Sequence, residues 1–222
     1  SKITKLTATY NPEYQGIDAG TNQKHQINEQ PNTFYLFQQV YDKDGKAIQN
    51  AFVDRDGNGK ITEADRYLTG KSPMAKVFMG LSSEFTYRNW DLGFNLRANL
   101  GNYVFNSLAS GNSTTYNYSG KGFLVNYYEA IYKTGFTQIN STEQGASDYF
   151  LENASFLKMD NITLGYSFKK LFTNRLSGRI SASVQNVFTI TKYSGLDPET
   201  SAVDGSMWPR PRTFTLGINL NF

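Results

Sequence analysis

From residue 77 to the end of the chain, apolar and polar residues alternate with a period of two in five long segments, and this repeat constrains the fold more than any other feature. In "TFTLGINLNF" (213–222), Phe214, Leu216, Ile218, Leu220 and Phe222 share one parity, and the other carries only small or polar residues. "MGLSSEFTY" (79–87) puts Met79, Leu81, Phe85 and Tyr87 opposite Gly80, Ser82, Glu84 and Thr86. "WDLGFNLRANLGN" alternates Leu92, Phe94, Leu96, Ala98 and Leu100 with Asp91, Gly93, Asn95, Arg97 and Asn99. "NITLGYSF" and "GRISASVQNVFTI" repeat the pattern, the second interrupted at Asn186. Successive side chains of a strand point to opposite faces, so each segment predicts a strand with different surroundings on its two sides.

A soluble sandwich shares this period, but its strands usually run ~5 to 6 residues. These runs reach the ~9 to 11 residues of a tilted membrane-spanning strand. Asp91, Asn95, Arg97 and Asn99 form a wet row suited to a polar lumen, and aromatics gather where the alternation ends, at Tyr87, Trp90, Tyr166, Phe168 and Phe222, as an interfacial girdle requires. The composition agrees: 15 Tyr and 16 Phe in 222 residues sit in a chain of mean hydropathy −0.51. The expected fold class is all-β, the strands of a large transmembrane antiparallel β-barrel with long extracellular loops. A passive porin and a soluble extracellular β domain that binds carbohydrate and is braced by calcium are the competing readings.

Connection lengths orient the strands. Only Arg88 and Asn89 separate Tyr87 from Trp90, and "KKLFTNRLSG" joins Phe168 to Arg179, whereas 101–155 and 192–211 are long. Short turns face the periplasm and long loops face outside in outer-membrane barrels. The strands expected at 77–87, 91–100, 156–168, 179–190 and 213–222 therefore alternate in direction, with the C-terminus on the periplasmic side. Residues 2–10 are expected to be the remnant of another strand, and 11–74 an extracellular lobe containing a hairpin turned at Asp44-Gly45. Residues 75–222 then hold the last five barrel strands and their loops. Known barrels use at least eight strands, so further wall is expected elsewhere, and the opening "SKITKLTATY" suggests the tail of something longer.

Several phrases, in order, resemble the SusC-like TonB-dependent transporters of Bacteroidota outer membranes: "YDKDGKAIQNAFVDRDGNGKITEADRYLTGKSP" (41–73), "TYRNWDLGFNLRANLGNYVFN" (86–106), "SDYFLENASFLKMDNITLGYSF" (147–168), "SVQNVFTITKYSGLDPE" (183–199) and "WPRPRTFTLGINLNF" (208–222). The resemblance covers essentially the whole chain. It implies the C-terminal portion of a 22-strand barrel with an N-terminal plug, lidded by a SusD-like lipoprotein and energised through TonB. It also implies import of oligosaccharides or oligopeptides across the outer membrane of a Gram-negative bacterium. The plug and the TonB-contacting segment are not in this chain. Phe222 resembles the C-terminal signal read by the barrel assembly machinery.

The sharpest local motif is "DRDGNGKITEAD". Asp54, Asp56 and Asn58, the backbone carbonyl of Lys60, and Asp65 occupy positions 1, 3, 5, 7 and 12 of a calcium loop, with Gly59 at 6. A hard cation needs several oxygens in one tight turn; Asp at position 12 and the lack of flanking helices depart from the usual pattern. A polar turn built from Asp, Asn and Gly is the structural alternative. Among the aromatics, Trp208, Tyr193, Tyr116 and Tyr118 are the candidates for stacking on substrate, with girdle or loop packing as the alternative. "FLVNYYEAIYKTG" is expected to form a short helix with Phe123, Tyr127 and Ile131 on one face.

Catalysis finds little support. His25 is the single histidine and there is no cysteine, which removes histidine-based triads, multi-histidine metal sites and thiol nucleophiles. Net charge is +3 without a Lys/Arg block, which argues against nucleic acid as a partner. The expected partners are membrane lipid, the remaining plug and barrel of the same transporter, and the lipoprotein lid.

Overall fold

A computed structural model describes residues 2–6, 16–20, 22–118, 126–171, 176–205 and 208–221. Its strands, in chain order, begin with β1 (Ile17–Gly20), β2 (Gln23–His25), β3 (Thr33–Leu36), β4 (Gln39–Tyr41), β5 (Ala47–Phe52), β6 (Tyr67–Leu68) and β7 (Val77–Tyr87). They continue with β8 (Trp90–Leu100), β9 (Tyr103–Asn106), β10 (Leu151–Asn153), β11 (Phe156–Leu171), β12 (Leu176–Thr191), β13 (Val203–Asp204) and β14 (Thr213–Asn221). Among the described residues there are two short α-helices, α1 (Ser107–Gly111) and α2 (Glu129–Thr134). The chain divides into two compact units, one of 1–76, 101–154 and 193–207, the other of 77–100, 155–192 and 208–222.

The second unit is a five-stranded antiparallel sheet in the order β14-β12-β11-β8-β7, the meander that alternating directions require. The strands expected from the alternation are all present. β11 and β12 each extend to 16 residues, past the boundaries expected at Phe168 and Arg179, because pairing continues to Leu171↔Leu176. The register carries one apolar row across all five strands, Phe85–Leu92–Leu164–Ala182–Leu216. On the opposite face the row Thr86–Asp91–Gly165–Ser181–Gly217 is polar or small.

One irregularity preserves these faces. Leu157 and Met159 share the apolar face with Ile162 although their parities differ, because the pairing skips Asp160 between Met159↔Leu96 and Asn161↔Asn95. Opposite it on β12 the pairing steps from Phe188 to Gln185. Asn186 lies there at φ 52°, and its Nδ2 donates to the Pro211 carbonyl at 2.8 Å. A β-bulge of this kind re-aims one side chain without slipping the rest of the strand.

The first unit gathers three separate stretches around one core. Phe34 and Leu36 of β3, Phe105 of β9, Phe136, Phe150 and Leu151 pack together, with Ala202 against them. The lobe expected over 11–74 is thus not a unit by itself: burial of Phe34 and Leu36 needs residues of both long loops. A polar node sits beside this core. Gln39 Nε2 donates to the carbonyls of Val40, Ile48 and Ala51, while its Oε1 accepts from Gln144 Nε2 at 3.0 Å and Ser147 Oγ at 2.9 Å. All three side chains are buried, and these bonds satisfy groups whose burial is otherwise costly.

Three expectations need correction. Residues 2–6 form no strand; Ile3 exchanges backbone hydrogen bonds with Asn28 and Glu29, and 7–10 lie outside the described residues. The helix expected over 123–135 begins only at Glu129, because Tyr128 is extended at φ −69°, ψ 142° and no side chain caps the start. Ile131 is buried but Tyr127 is exposed, so they do not share a buried face, and Phe123 lies outside the described residues. The Asp44-Gly45 turn does form: Asp42 Oδ1 accepts from the amides of Asp44 and Lys46, and Gly45 takes φ 78°.

Candidate functional site

The polar face of the sheet carries two cross-strand ion pairs. Asp91 of β8 and Arg179 of β12 meet across the strand between them, Nε to Oδ1 at 3.0 Å and Nη2 to Oδ2 at 2.5 Å. They pass over Gly165 of β11, where an added Cβ would lie 2.3 Å from the guanidinium and 2.4 Å from the carboxylate. Only glycine leaves room for this bridge. Further along the face, Arg97 donates through Nε and Nη2 to the bulged Asp160, and Asn95 Nδ2 donates to Asn161 Oδ1 at 2.9 Å. The bidentate geometry is the strong form of an Arg–carboxylate contact. The sequence reading named Asp91, Asn95, Arg97 and Asn99 for this face. The alternation of 161–168 also put Gly165 on this face, as found; Arg179 and Asp160 were not named, and the parity change between Met159 and Ile162 was the available signal for Asp160.

The opposite face is apolar and open. Phe214, Leu216 and Ile218 of β14 are 73%, 72% and 64% exposed, a contiguous apolar face of the kind that meets a membrane or a partner. At the end of the β7–β8 hairpin, the rings of Trp90 and Tyr166 meet tilted at 55° with centroids 4.8 Å apart, and Tyr87 pairs with Trp90.

In the first unit, 54–65 closes on itself. Asp54 accepts from the amides of Gly57 and Gly59, each at 2.8 Å; Asp56 Oδ1 accepts from Asn58 N, and Asn58 Oδ1 from Lys60 N. Asp65, fully buried, accepts from Arg55 N and Thr62 N at 2.7 Å and completes a capping box with Thr62. One ligand atom each of Asp54, Asp56 and Asp65 lies within 4.8 Å of the others. The donor set suits a hard cation in part: each Asp54 oxygen accepts one amide and keeps lone-pair capacity, whereas both Asp65 oxygens already accept two hydrogen bonds, Oδ1 from Arg55 N and Asp56 N and Oδ2 from Thr62 N and Oγ1.

The aromatic candidates separate. Tyr193 is 5% exposed, and its hydroxyl donates to the buried Asp204 at 2.7 Å. Gly195 lies so close that an added Cβ would be 2.4 Å from the ring. Tyr193 is therefore a packing residue, which corrects its assignment to substrate. Tyr118 packs edge-on against Tyr127 at 5.3 Å, and Tyr127 lies 6.5 Å from Tyr132. Tyr116 and Trp208 are exposed. Phe222 lies outside the described residues.

A five-stranded meander with a lipid-compatible face, an ion-paired polar face and aromatics at a hairpin end is a portion of a transmembrane antiparallel β-barrel. No family model matches the chain. Across all of its length, however, it is 43% identical to TonB-dependent receptor SusC of Bacteroides thetaiotaomicron, over 237 aligned positions that make up 23% of that protein. TonB-dependent receptor P3 of Formosa agariphila is 29% identical over 77% of the chain and 19% of its own length. Among solved structures, one described as the RagAB peptide transporter superposes on 100% of the chain and 26% of its own, with TM-score 0.72 and 23% identity, which speaks to the fold alone. The chain spans about a fifth to a quarter of the length of these relatives. It belongs to the SusC-like TonB-dependent receptors, as a C-terminal portion of their barrel.

Proposed function

We propose that this chain is part of an outer-membrane, TonB-dependent importer of oligomeric nutrients that works with a SusD-like surface lipoprotein. The observation that carries this is the 43% identity to a TonB-dependent receptor over the whole chain, joined to a sheet whose two faces suit lipid and a polar lumen. In this reading Asp91, Asn95, Arg97 and Asn99 face the lumen, the unit built from 1–76, 101–154 and 193–207 lies outside the cell, and the end of β14 lies on the periplasmic side. The chain's role is passage and recognition, not catalysis. A soluble carbohydrate-binding domain would leave the apolar face in water, and a passive porin does not account for kinship with TonB-dependent receptors. The test is uptake of labelled oligosaccharides and oligopeptides by cells with and without the full-length gene, TonB or a SusD-like lipoprotein. Uptake of one class that requires all three is expected; uptake untouched by loss of TonB would overturn the reading.

The loop 54–65 is proposed to hold a structural Ca2+ through Asp54, Asp56, Asn58, the Lys60 carbonyl and Asp65. Calorimetry on the full-length protein should show calcium heat that disappears in Asp54→Ala/Asp56→Ala. Identical heats for both proteins would remove the ion from the account.

A further inference from the structure

Asn58 and Gly59 make the single Asn-Gly step of the chain, and it lies inside the 54–65 turn. Both residues are exposed. A glycine after an asparagine leaves its backbone nitrogen unhindered, and at Gly59 even an added Cβ would meet no atom within 4 Å. The asparagine carboxamide is therefore open to attack by the nitrogen of the next residue. In that reaction Gly59 N gives up its proton and bonds to Asn58 Cγ, the Cγ–Nδ2 bond breaks, and the side-chain nitrogen leaves as ammonia. Water then opens the cyclic succinimide at either carbonyl, leaving aspartate or an isoaspartyl link at position 58.

The turn holds each reacting group. Gly59 N donates to Asp54 Oδ2 at 2.8 Å, so the proton of the nucleophile rests on a carboxylate. Asn58 Oδ1 accepts from Lys60 N, and Asn58 Nδ2 donates to Asp56 Oδ2, each at 2.7 Å, which fixes the carboxamide at both ends. Ring closure has to break these bonds. It also builds negative charge, first on Gly59 N and then on the oxygen at Cγ, beside Asp54 and Asp56, and like charges oppose this.

We propose that Asn58 is a site of spontaneous deamidation that the folded turn holds in check, with Gly59 N as the nucleophile and Asp54 as the group that restrains it. The products would change the turn in opposite ways. Aspartate adds a carboxylate to the three that already lie close together. An isoaspartyl link adds a backbone atom between Gly57 and Gly59, whose φ of 72° and 76° set the path of the chain. The proposal goes beyond the import reading and does not rest on it.

The test uses the full-length protein in detergent, with a chelator in every sample, held at mildly alkaline pH and then cut with trypsin. Arg55 and Lys60 bracket the peptide 56–60, in which Asn58 is the single amide side chain, so its conversion is read as the mass gain of that peptide. Isomerisation at Asp56-Gly57 leaves the mass unchanged. Unfolded in guanidinium, the wild-type peptide should convert fastest. In the folded protein it should convert about tenfold more slowly, since a hydrogen bond to a charged group must first be lost. Asp54→Ala should recover most of that difference in the folded protein and change little in guanidinium. Asp54→Asn keeps an acceptor without the charge, and its rate should lie between the two, which separates restraint of Gly59 from collapse of the turn. Asn58→Ser should abolish the mass gain. The proposal is overturned by no gain in guanidinium, by equal rates in folded and unfolded wild type, by folded Asp54→Ala as slow as wild type, or by folded Asp54→Asn as fast as the unfolded chain. None of these readouts involves transport or a bound ion, so their failure would leave the importer and the calcium loop untouched.

Discussion

Tyr193 shows how far a residue's role departs from what its type suggests. An aromatic in a polar loop invites a stacking role, yet this ring is packed beneath Gly195, and its hydroxyl is committed to Asp204. The bond holds the turn after β12 to β13, which pairs in parallel with β9 through Val203↔Phe105. Tyr193→Phe should lower the stability of this region by about 1.5–3 kcal/mol, the range for a hydrogen bond to a charged group. Hydrogen exchange at 103–106 and 203–204 in the full-length protein would show it. Burial, then the bond to Asp204, raises the phenol pKa above its ordinary 10.0. The unfolded chain therefore releases this proton first, so the contribution is complete below pH 10.0 and declines as pH rises above it. The Phe variant should lack that alkaline step. An unchanged step in the variant would assign it to another group.

At the level of elements, the wall strands are governed by which face each side chain takes. Leu164 lies in the middle of the apolar row between Leu92 and Ala182, and Thr163, its neighbour in the chain, is on the polar face beside Gly93. An arginine on the lipid side of a barrel costs about 2–4 kcal/mol near the bilayer midplane, while the lumen side tolerates it. Leu164→Arg should therefore destabilise the full-length barrel in lipid vesicles by that amount in urea unfolding, and Thr163→Arg by much less. Equal losses would mean that the faces are wrongly assigned. The ion pairs of the polar face impose a second rule. Because the Asp91–Arg179 bridge crosses β11 at Gly165, three strands are tied together by one residue from each.

For the whole molecule, what was legible in the sequence depends on the range of the interactions involved. The wall strands were legible because alternation is local: each residue's face follows from its neighbour's. The 54–65 turn was legible for the same reason, its hydrogen bonds spanning at most ten residues. The loop unit was not, because its cohesion joins distant positions, as Gln39 to Gln144 and Ser147, and no periodicity encodes such pairs. A pocket lined by Tyr128, Tyr149 and Ser194 was illegible too, since these residues come together only after the long loops have folded. This division predicts how the molecule responds to loss of a loop. Replacing 107–149 with a short turn removes Phe136 from the core that holds Phe34, Leu36 and Phe105, and removes Gln144 and Ser147 from Gln39. Residues 17–76 should then become open to limited proteolysis. The five-stranded sheet is held by its own continuous ladders from β7 to β14, so the barrel of the full-length variant should still resist unfolding in cold detergent gels. Loss of the folded barrel band in those gels would show that the wall depends on the loop unit; protection of 17–76 would show that the unit's core does not need its second stretch.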